Sequence, residues 1–391
     1  MKAGTFVLAP IPQLQMGSNK ISLLPDLITS YGKRALLVIG GASLRKSQAY
    51  PKLIDQLSAH HISCQEFIVS HEPSPETIDT AINQQVANRP DVVVGIGGGS
   101  VLDTAKAISA MLPLNEPVKL YLEGVGTKSH PGVKVPFIAV PTTSGTGSET
   151  TRNAVLSEVG EQGYKRSLRH MNFVSNVTIL DPLLMISCPP SVTASSGNDA
   201  FTQLLESLLS TAATPLSDAL AFEGLRHVAT SLPVAFKSPE NVDARTGMAL
   251  AAYLSGITLT NVGLGLVHGL AAIIGGYTNI PHGVVCSTLM PAANRITLRR
   301  LRQKATWHPA LVKYSETGKI FAGPTGKSDD FYADFIIDTI YKWNSDMKIP
   351  KLSDYNIKIE DIRKFAALGE NKNNPVPLSQ EEILEVLEMS L

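Results

Sequence analysis

The sequence predicts an α/β half followed by an all-helical half (α/β + all-α), with the boundary near residue 182. Two observations predict it. Up to about residue 180, short continuous apolar runs alternate with segments of helical spacing, the pattern of βαβ units and a parallel sheet buried on both faces. After Asp181-Pro182 no convincing strand run appears, and every periodic segment has helical spacing. A length of 391 residues suits two domains, 1–182 and 183–391, at about 100–200 residues per domain.

The elements follow in order. Arg34–Gly40 (RALLVIG) is an apolar strand run ending in glycines. Pro51–His60 places Leu53, Ile54 and Leu57 at helical spacing, and Ile62–Val69 reads as a strand. Ser74–Asn88 opens with a Ser-Pro pair, a favourable helix entry because proline fits the first helical position. Asp91–Gly95 (DVVVG) is a β-branched buried strand, Ser100–Met111 a helix, and Phe137–Val140 another strand. Beyond residue 182 helices are predicted over Ser191–Thr211, Pro215–Pro233, Asp243–Ile257, Gly263–Ile274, Val284–Leu301, Asp329–Trp343 and Ser379–Met389. The last opens with a capping box, Ser379 with Glu382 three residues on.

Composition narrows the function. With 34 Lys plus Arg against 34 Asp plus Glu there is no global positive field for a polyanion, so no nucleic-acid partner is expected. Cys64, Cys188 and Cys286 lie far apart and outside any CxxC, as buried or free thiols of a reducing cytosol do. The N-terminus lacks a signal-peptide pattern, so a cytoplasmic protein is expected. From Thr246 to Asn294 there is no Asp, Glu, Lys or Arg, but Thr258, Thr260, Asn261, His268 and Pro281 interrupt the stretch. It reads as helices buried in protein, with no membrane partner. The basic cluster Arg295, Arg299, Arg300, Arg302 and Lys304 lacks interleaved aromatics and reads as a solvated helix face.

The sharpest motif is GIGGGSVLDTAK (Gly95–Lys106), between the DVVVG strand and a helix. Glycines there let backbone approach an anion, and the free N–H groups of a helix start attract it, so a pyrophosphate is the natural guest. The spacing is not GxGxxG, and GPTGKS is no phosphate loop, because Phe321 stands where its first glycine belongs. A second polar loop, PTTSGTGSE (Pro141–Glu149), follows the FIAV strand at the carboxyl edge where ligands of open α/β sheets sit. In the helical half, Asp199 and Gln203 share one helix face, while His268 and His282 interrupt the charge-free stretch. A carboxylate and two imidazoles suit Fe²⁺ or Zn²⁺. For either histidine alone, a satisfied core residue is the simpler reading.

In this order and spacing, GGGSVLDTAK, PTTSGTGSE, DP (Asp181-Pro182), GNDA, VHGLA, PHG and the closing NNPVPLSQEEI resemble the iron-containing (group III) alcohol dehydrogenases. The resemblance covers about residues 10–385. It implies a Rossmann-like dinucleotide-binding domain followed by a helical domain, the dehydroquinate synthase-like fold, with the active site in the cleft between them. It further implies a homodimer, hydride transfer between NAD(P)(H) and a small alcohol or aldehyde, and cofactor contacts from Gly97, Gly98, Gly99, Ser100, Asp103, Thr142, Thr143, Thr146 and Lys165. Asn153 would reach the cleft, His268 and His282 would be catalytic, and Asp199, His268 and His282 would be metal ligands.

Two departures carry information. Relatives typically read DAxxH where this chain reads DAFTQ, so Gln203 stands at the fourth ligand position. Three outcomes stay open: a metal held with Gln203 or water, a weakly held metal, or none, as in the metal-independent maleylacetate reductases. The turn after the first strand, IGGASLRKSQAY, has no carboxylate to accept from a ribose 2′-hydroxyl. Its Gly40, Gly41, Ser43, Arg45 and Lys46 suit a 2′-phosphate, hence NADP before NAD. Three rival functions remain, one of them a catalytically silent nucleotide-binding protein, which Gln203 makes conceivable. A keto-acid reductase would need cleft cations such as Arg152, Arg166, Arg169 or His170. A lyase of the dehydroquinate synthase type would need Lys and Arg around the metal, which the charge-free stretch disfavours.

Overall fold

The computed structural model describes residues 5–41, 44–47, 49–304, 307–323 and 325–391. Its first part contains β1 (Gln13–Met16), α1 (Leu24–Thr29), β2 (Arg34–Gly40), α2 (Ala49–Ala59), β3 (Ser63–Val69), α3 (Pro75–Gln85), β4 (Val92–Gly97), α4 (Gly99–Met111), β5 (Phe137–Pro141), β6 (Asn153–Glu158), β7 (Tyr164–Arg169) and β8 (Val177–Leu180). Six strands form one sheet in the order β1-β8-β5-β4-β2-β3, and every pair in it is parallel. Alternation on the strands loads both faces. Leu36, Val38 and Val93 pack with α3 and α4, whereas Leu37, Ile39, Val92, Val94 and Ile96 pack with α1 and α2. That double burial is why these strands are continuous apolar runs rather than alternating ones.

The strand order fixes where a ligand can sit. From β2 the chain moves to β3 on one side, and from β4 to β5 on the other, while β2 and β4 are neighbours with Ile39 opposite Ile96. Their carboxyl ends therefore flank the switch point, where diverging connections leave a crevice. The antiparallel hairpin β6–β7 stands apart as its own sheet.

The remaining elements are helices: α5 (Pro190–Leu209), α6 (Pro215–Lys237), α7 (Val242–Val262), α8 (Leu266–Tyr277), α9 (His282–Lys304), α10 (Pro309–Ala322), α11 (Asp329–Asp346), α12 (Ile359–Leu368) and α13 (Gln380–Glu388). One apolar core joins them. The capping box at Ser379 and Glu382 is present. No single helix among the described residues is long and apolar enough to cross a membrane; α7 and α8 reach that composition only jointly, across a 96° bend. The basic cluster on α9 is an ion-paired face: Arg295 meets Asp338, Arg299 Glu385, Arg300 Glu382, and Arg302 both Asp330 and Asp334.

Candidate active site

The two polar loops lie against each other at the switch point. Thr142 N donates to Gly97 O at 2.9 Å. A Cβ on Gly98 would stand 3.2 Å from Thr143 Oγ1, and one on Gly99 2.6 Å from Thr146 Cγ2, so glycine is needed where the loops close up. No side chain caps the start of α4, which leaves its first N–H groups for an anion. Gly40 ends β2 beside this turn, Gly41 follows it, and Lys46 is exposed beyond them. Ser43 lies outside the described residues. Arg45 is paired with Glu66, which also accepts from Tyr50. One of the two cations expected for a 2′-phosphate is therefore already engaged.

Asp103, expected at the cofactor, faces inward. Its Oδ1 accepts from Ser148 Oγ at 2.5 Å and its Oδ2 from Val155 N at 3.1 Å, so it ties the second loop and β6 to α4. Beside it the fully buried Lys106 places Nζ 2.6 Å from Ser148 O, 2.7 Å from Thr151 Oγ1 and 2.7 Å from Asn153 O. Asn153 itself donates from Nδ2 to Ser167 Oγ across the hairpin at 3.3 Å. Lys165 pairs with Glu72 at 2.6 Å, and its stem runs past Gly275 of α8. Two of the cations suggested for a keto acid have partners in the protein: Arg169 with Glu123 at 3.1 Å and Arg152 with Met171 Sδ at 2.9 Å.

In the helical part, α5, α8 and α9 bring Asp199, His268, His282 and Cys286 together, with donor atoms all within 4.8 Å of one another. His268 Nε2 is 3.3 Å from Asp199 Oδ1 and 3.6 Å from Cys286 Sγ. His282 Nε2 is 4.0 Å from the same oxygen and 3.6 Å from the same sulfur. Asp199 Oδ1 is buried, and no donor reaches it in hydrogen-bonding geometry. An orphaned carboxylate oxygen facing two imidazole nitrogens and a sulfur is a donor set that fits a divalent transition metal. Burial disfavours charge on Asp199, yet His282 and His268 outweigh it and hold its carboxyl below the usual range. Burial, with Lys165 adding to it, pushes His282 down to about 4, and burial raises the Cys286 thiol to about 12.

Glu206 completes the arrangement. Its Oε2 is 2.7 Å from His268 Nδ1, and its Oε1 accepts from Val267 N at 2.6 Å. An acceptor on Nδ1 leaves the Nε2 lone pair facing the centre. Gln203, expected as a ligand, is turned the other way. Its Oε1 accepts from Ser255 Oγ at 2.7 Å, and its Nε2 donates to Asp199 Oδ2 at 3.1 Å. In this orientation the amide turns its NH₂, which has no lone pair to offer, toward Asp199, so that Gln203 braces that carboxylate.

The second loop meets the helix that carries Asp199. A Cβ on Gly145 would stand 2.7 Å from Ser196 Cβ, one turn before Asp199 on α5. Residues 12–182 match the iron-containing alcohol dehydrogenase family, and residues 193–391 match the C-terminal region of the Fe-containing alcohol dehydrogenase family. The chain belongs to this family. It is 32% identical over 325 residues to the sulfoacetaldehyde reductase of Bilophila wadsworthia, covering 81% of each chain. The crystal structure of a 1,3-propanediol oxidoreductase superposes with a TM-score of 0.89 at 30% identity, covering 99% of this chain and 100% of that one. The sulfoacetaldehyde reductase of Bifidobacterium kashiwanohense, solved in complex with NAD⁺, superposes with a TM-score of 0.85 at 26% identity, covering 99% of each. This iron-containing alcohol dehydrogenase family member is thus an oxidoreductase of alcohols and aldehydes.

Three residues of the site escaped the sequence reading. Cys286 lies one helical turn after His282 and Glu206 seven residues after Asp199, spacings that share a helix face. Lys106, inside the glycine motif, gave no such signal.

Proposed function

We propose that this enzyme works chiefly as an NADP(H)-preferring aldehyde reductase on a small, uncharged carbonyl compound. The reaction takes place between a dinucleotide-binding domain, residues 1–182, and a helical domain, residues 183–391, with Fe²⁺ or Zn²⁺ held by Asp199, His268 and His282. The observation that carries this reading is the contact of the second polar loop, which packs on the anion-receptive glycine turn, with α5 one turn from Asp199. The N–H groups at Gly99 and Ser100 bind the pyrophosphate, and Thr142, Thr143 and Thr146 border it. When bound, the metal supplies Lewis-acid polarisation of the carbonyl. Glu206 keeps the proton on His268 Nδ1. Buried residues of α8, among them Val267 and Leu270, exclude water from the cluster. His282, its side chain 24% exposed against 7% for His268, is the histidine open to the cleft, and its Nδ1 has no protein partner. The exposed apolar residues Phe6, Val7, Leu8 and Ile11 support a homodimer, and the three free cysteines support a cytoplasmic setting.

Oxidation of NADPH and NADH with a panel of aldehydes, ketones and keto acids, alongside metal analysis, tests the reading. Equal or better use of NADH defeats the cofactor assignment, and full turnover after exhaustive chelation removes the metal. Gly41→Asp sharpens the first arm. A Cβ there meets nothing within 4 Å, so the new carboxylate is added without a clash. It should lower kcat/KM for NADPH by about 10-fold or more, through repulsion of the 2′-phosphate, while sparing NADH.

A further inference from the structure

We infer that Cys286, as a thiolate, is the fourth protein ligand of the metal, making an Asp-His₂-Cys site in which Gln203 serves only to brace Asp199. The inference rests on the metal-assisted reading above and deepens it. The first ground is distance. Bonds of about 2.1 Å to N and O and about 2.3 Å to S set tetrahedral donor separations of about 3.4 Å between N and O and about 3.6 Å between N and S. The sulfur stands 3.6 Å from each Nε2, and His268 Nε2 stands 3.3 Å from Asp199 Oδ1. The second ground is the partner type. The other two thiols approach backbone carbonyls, Cys64 that of Ile62 and Cys188 that of Pro189, as core cysteines do. The Cys286 sulfur, fully buried, lies instead between two imidazole nitrogens and beside an oxygen that has no donor. The third ground is substitution in space. The oxygen of Gln203 is held by Ser255, so α5 offers one donor, Asp199, and α9 offers two, His282 and Cys286, on one face.

Binding releases the thiol proton to solvent, leaving the sulfur lone pair to the metal. A thiolate is a softer donor than imidazole or an amide, so the site should favour Zn²⁺ over Fe²⁺. The test uses the full-length protein, stripped of metal and titrated with Co²⁺. A near-ultraviolet thiolate-to-cobalt charge-transfer band beside the visible d–d bands is expected, and it should vanish in Cys286→Ser and persist in Gln203→Leu. Zn²⁺ affinity, from competition with a chelator, should fall by about 100-fold in Cys286→Ser, since even outer partners of a ligand are worth 10–100-fold. Circular dichroism checks that variant's fold; should it not fold, the wild-type and Gln203→Leu spectra decide. Visible d–d bands without the charge-transfer band overturn the Cys286 assignment and leave the metal reading standing. A protein that takes up neither Co²⁺ nor Zn²⁺ overturns both.

Discussion

Glu206 sets the orientation of His268 through a single contact, 2.7 Å from Nδ1, while a second oxygen is fixed by Val267 N. Replacing it with glutamine keeps the shape but removes the charge that raises the basicity of the far nitrogen. Glu206→Gln should therefore weaken metal retention about 10–100-fold in a chelator competition without unfolding the protein. Residues of this kind differ in how far a sequence shows them. Asp199, His268 and His282 stand out because polar side chains in apolar helices need a reason to be there. Cys286 does not, because a free cysteine behaves as a small hydrophobe and is an ordinary core residue. The orientation of Gln203 is hidden for a different cause. Spacing puts it on the face of Asp199, but which end of the amide points inward depends on Ser255, fifty-two residues away in the chain.

At the scale of elements, the second loop is held by buried charge. Glu149, 3% exposed, has its carboxyl pushed up to about 7 by burial, and Lys106 beside it is pushed down to about 8, also by burial. In the unfolded chain Glu149 loses its proton near 4.5, whereas in the fold it keeps the proton to about 7. Over that window the folded protein binds more protons, so stability falls as pH rises and levels off above 7. Lys106 acts in the opposite direction and only above about 8, so the two do not overlap. Glu149→Gln should match the wild type near pH 4.5 and exceed it at pH 7.5, by on the order of 3 kcal/mol, in denaturant melts at the two pH values. The element that carries this loop was legible; the hairpin after it was not. In β6 and β7 exposed and buried residues intermix over six residues each, too short a run for alternation to declare itself. The helix α10 was hidden by Gly318, which reads as a breaker. A Cβ there would stand 1.9 Å from Tyr332 O, so the glycine lets α10 and α11 touch.

For the whole molecule, the split between sheet and helices was readable because strand signals stop at one place in the chain. What the sequence could not show is how closely the two parts are seated. The charge-free stretch supplies the seat: α8 and all but the first turn of α7 lie within it, and α7 receives the second loop almost backbone to backbone. Thr150 Oγ1 donates to Tyr253 O at 3.2 Å, and Gly147 holds a left-handed φ of 61° opposite Gly256. A Cβ on Gly256 would come within 2.3 Å of Gly147 O and 2.2 Å of Thr150 Oγ1, and a backbone oxygen cannot rotate away as a side chain can. Gly256→Ala must therefore lift the loop from α7. Overpacking of this kind costs about 1–3 kcal/mol, measurable in a chemical melt. The loop also carries Thr142, Thr143 and Thr146, so KM for the dinucleotide should rise. Metal retention should change little, because Asp199, His268, His282 and Cys286 all lie on the helical side of the contact. A variant that loses metal and cofactor affinity together would mean that the loop also supports the metal cluster, and that the two halves of the site are one mechanical unit.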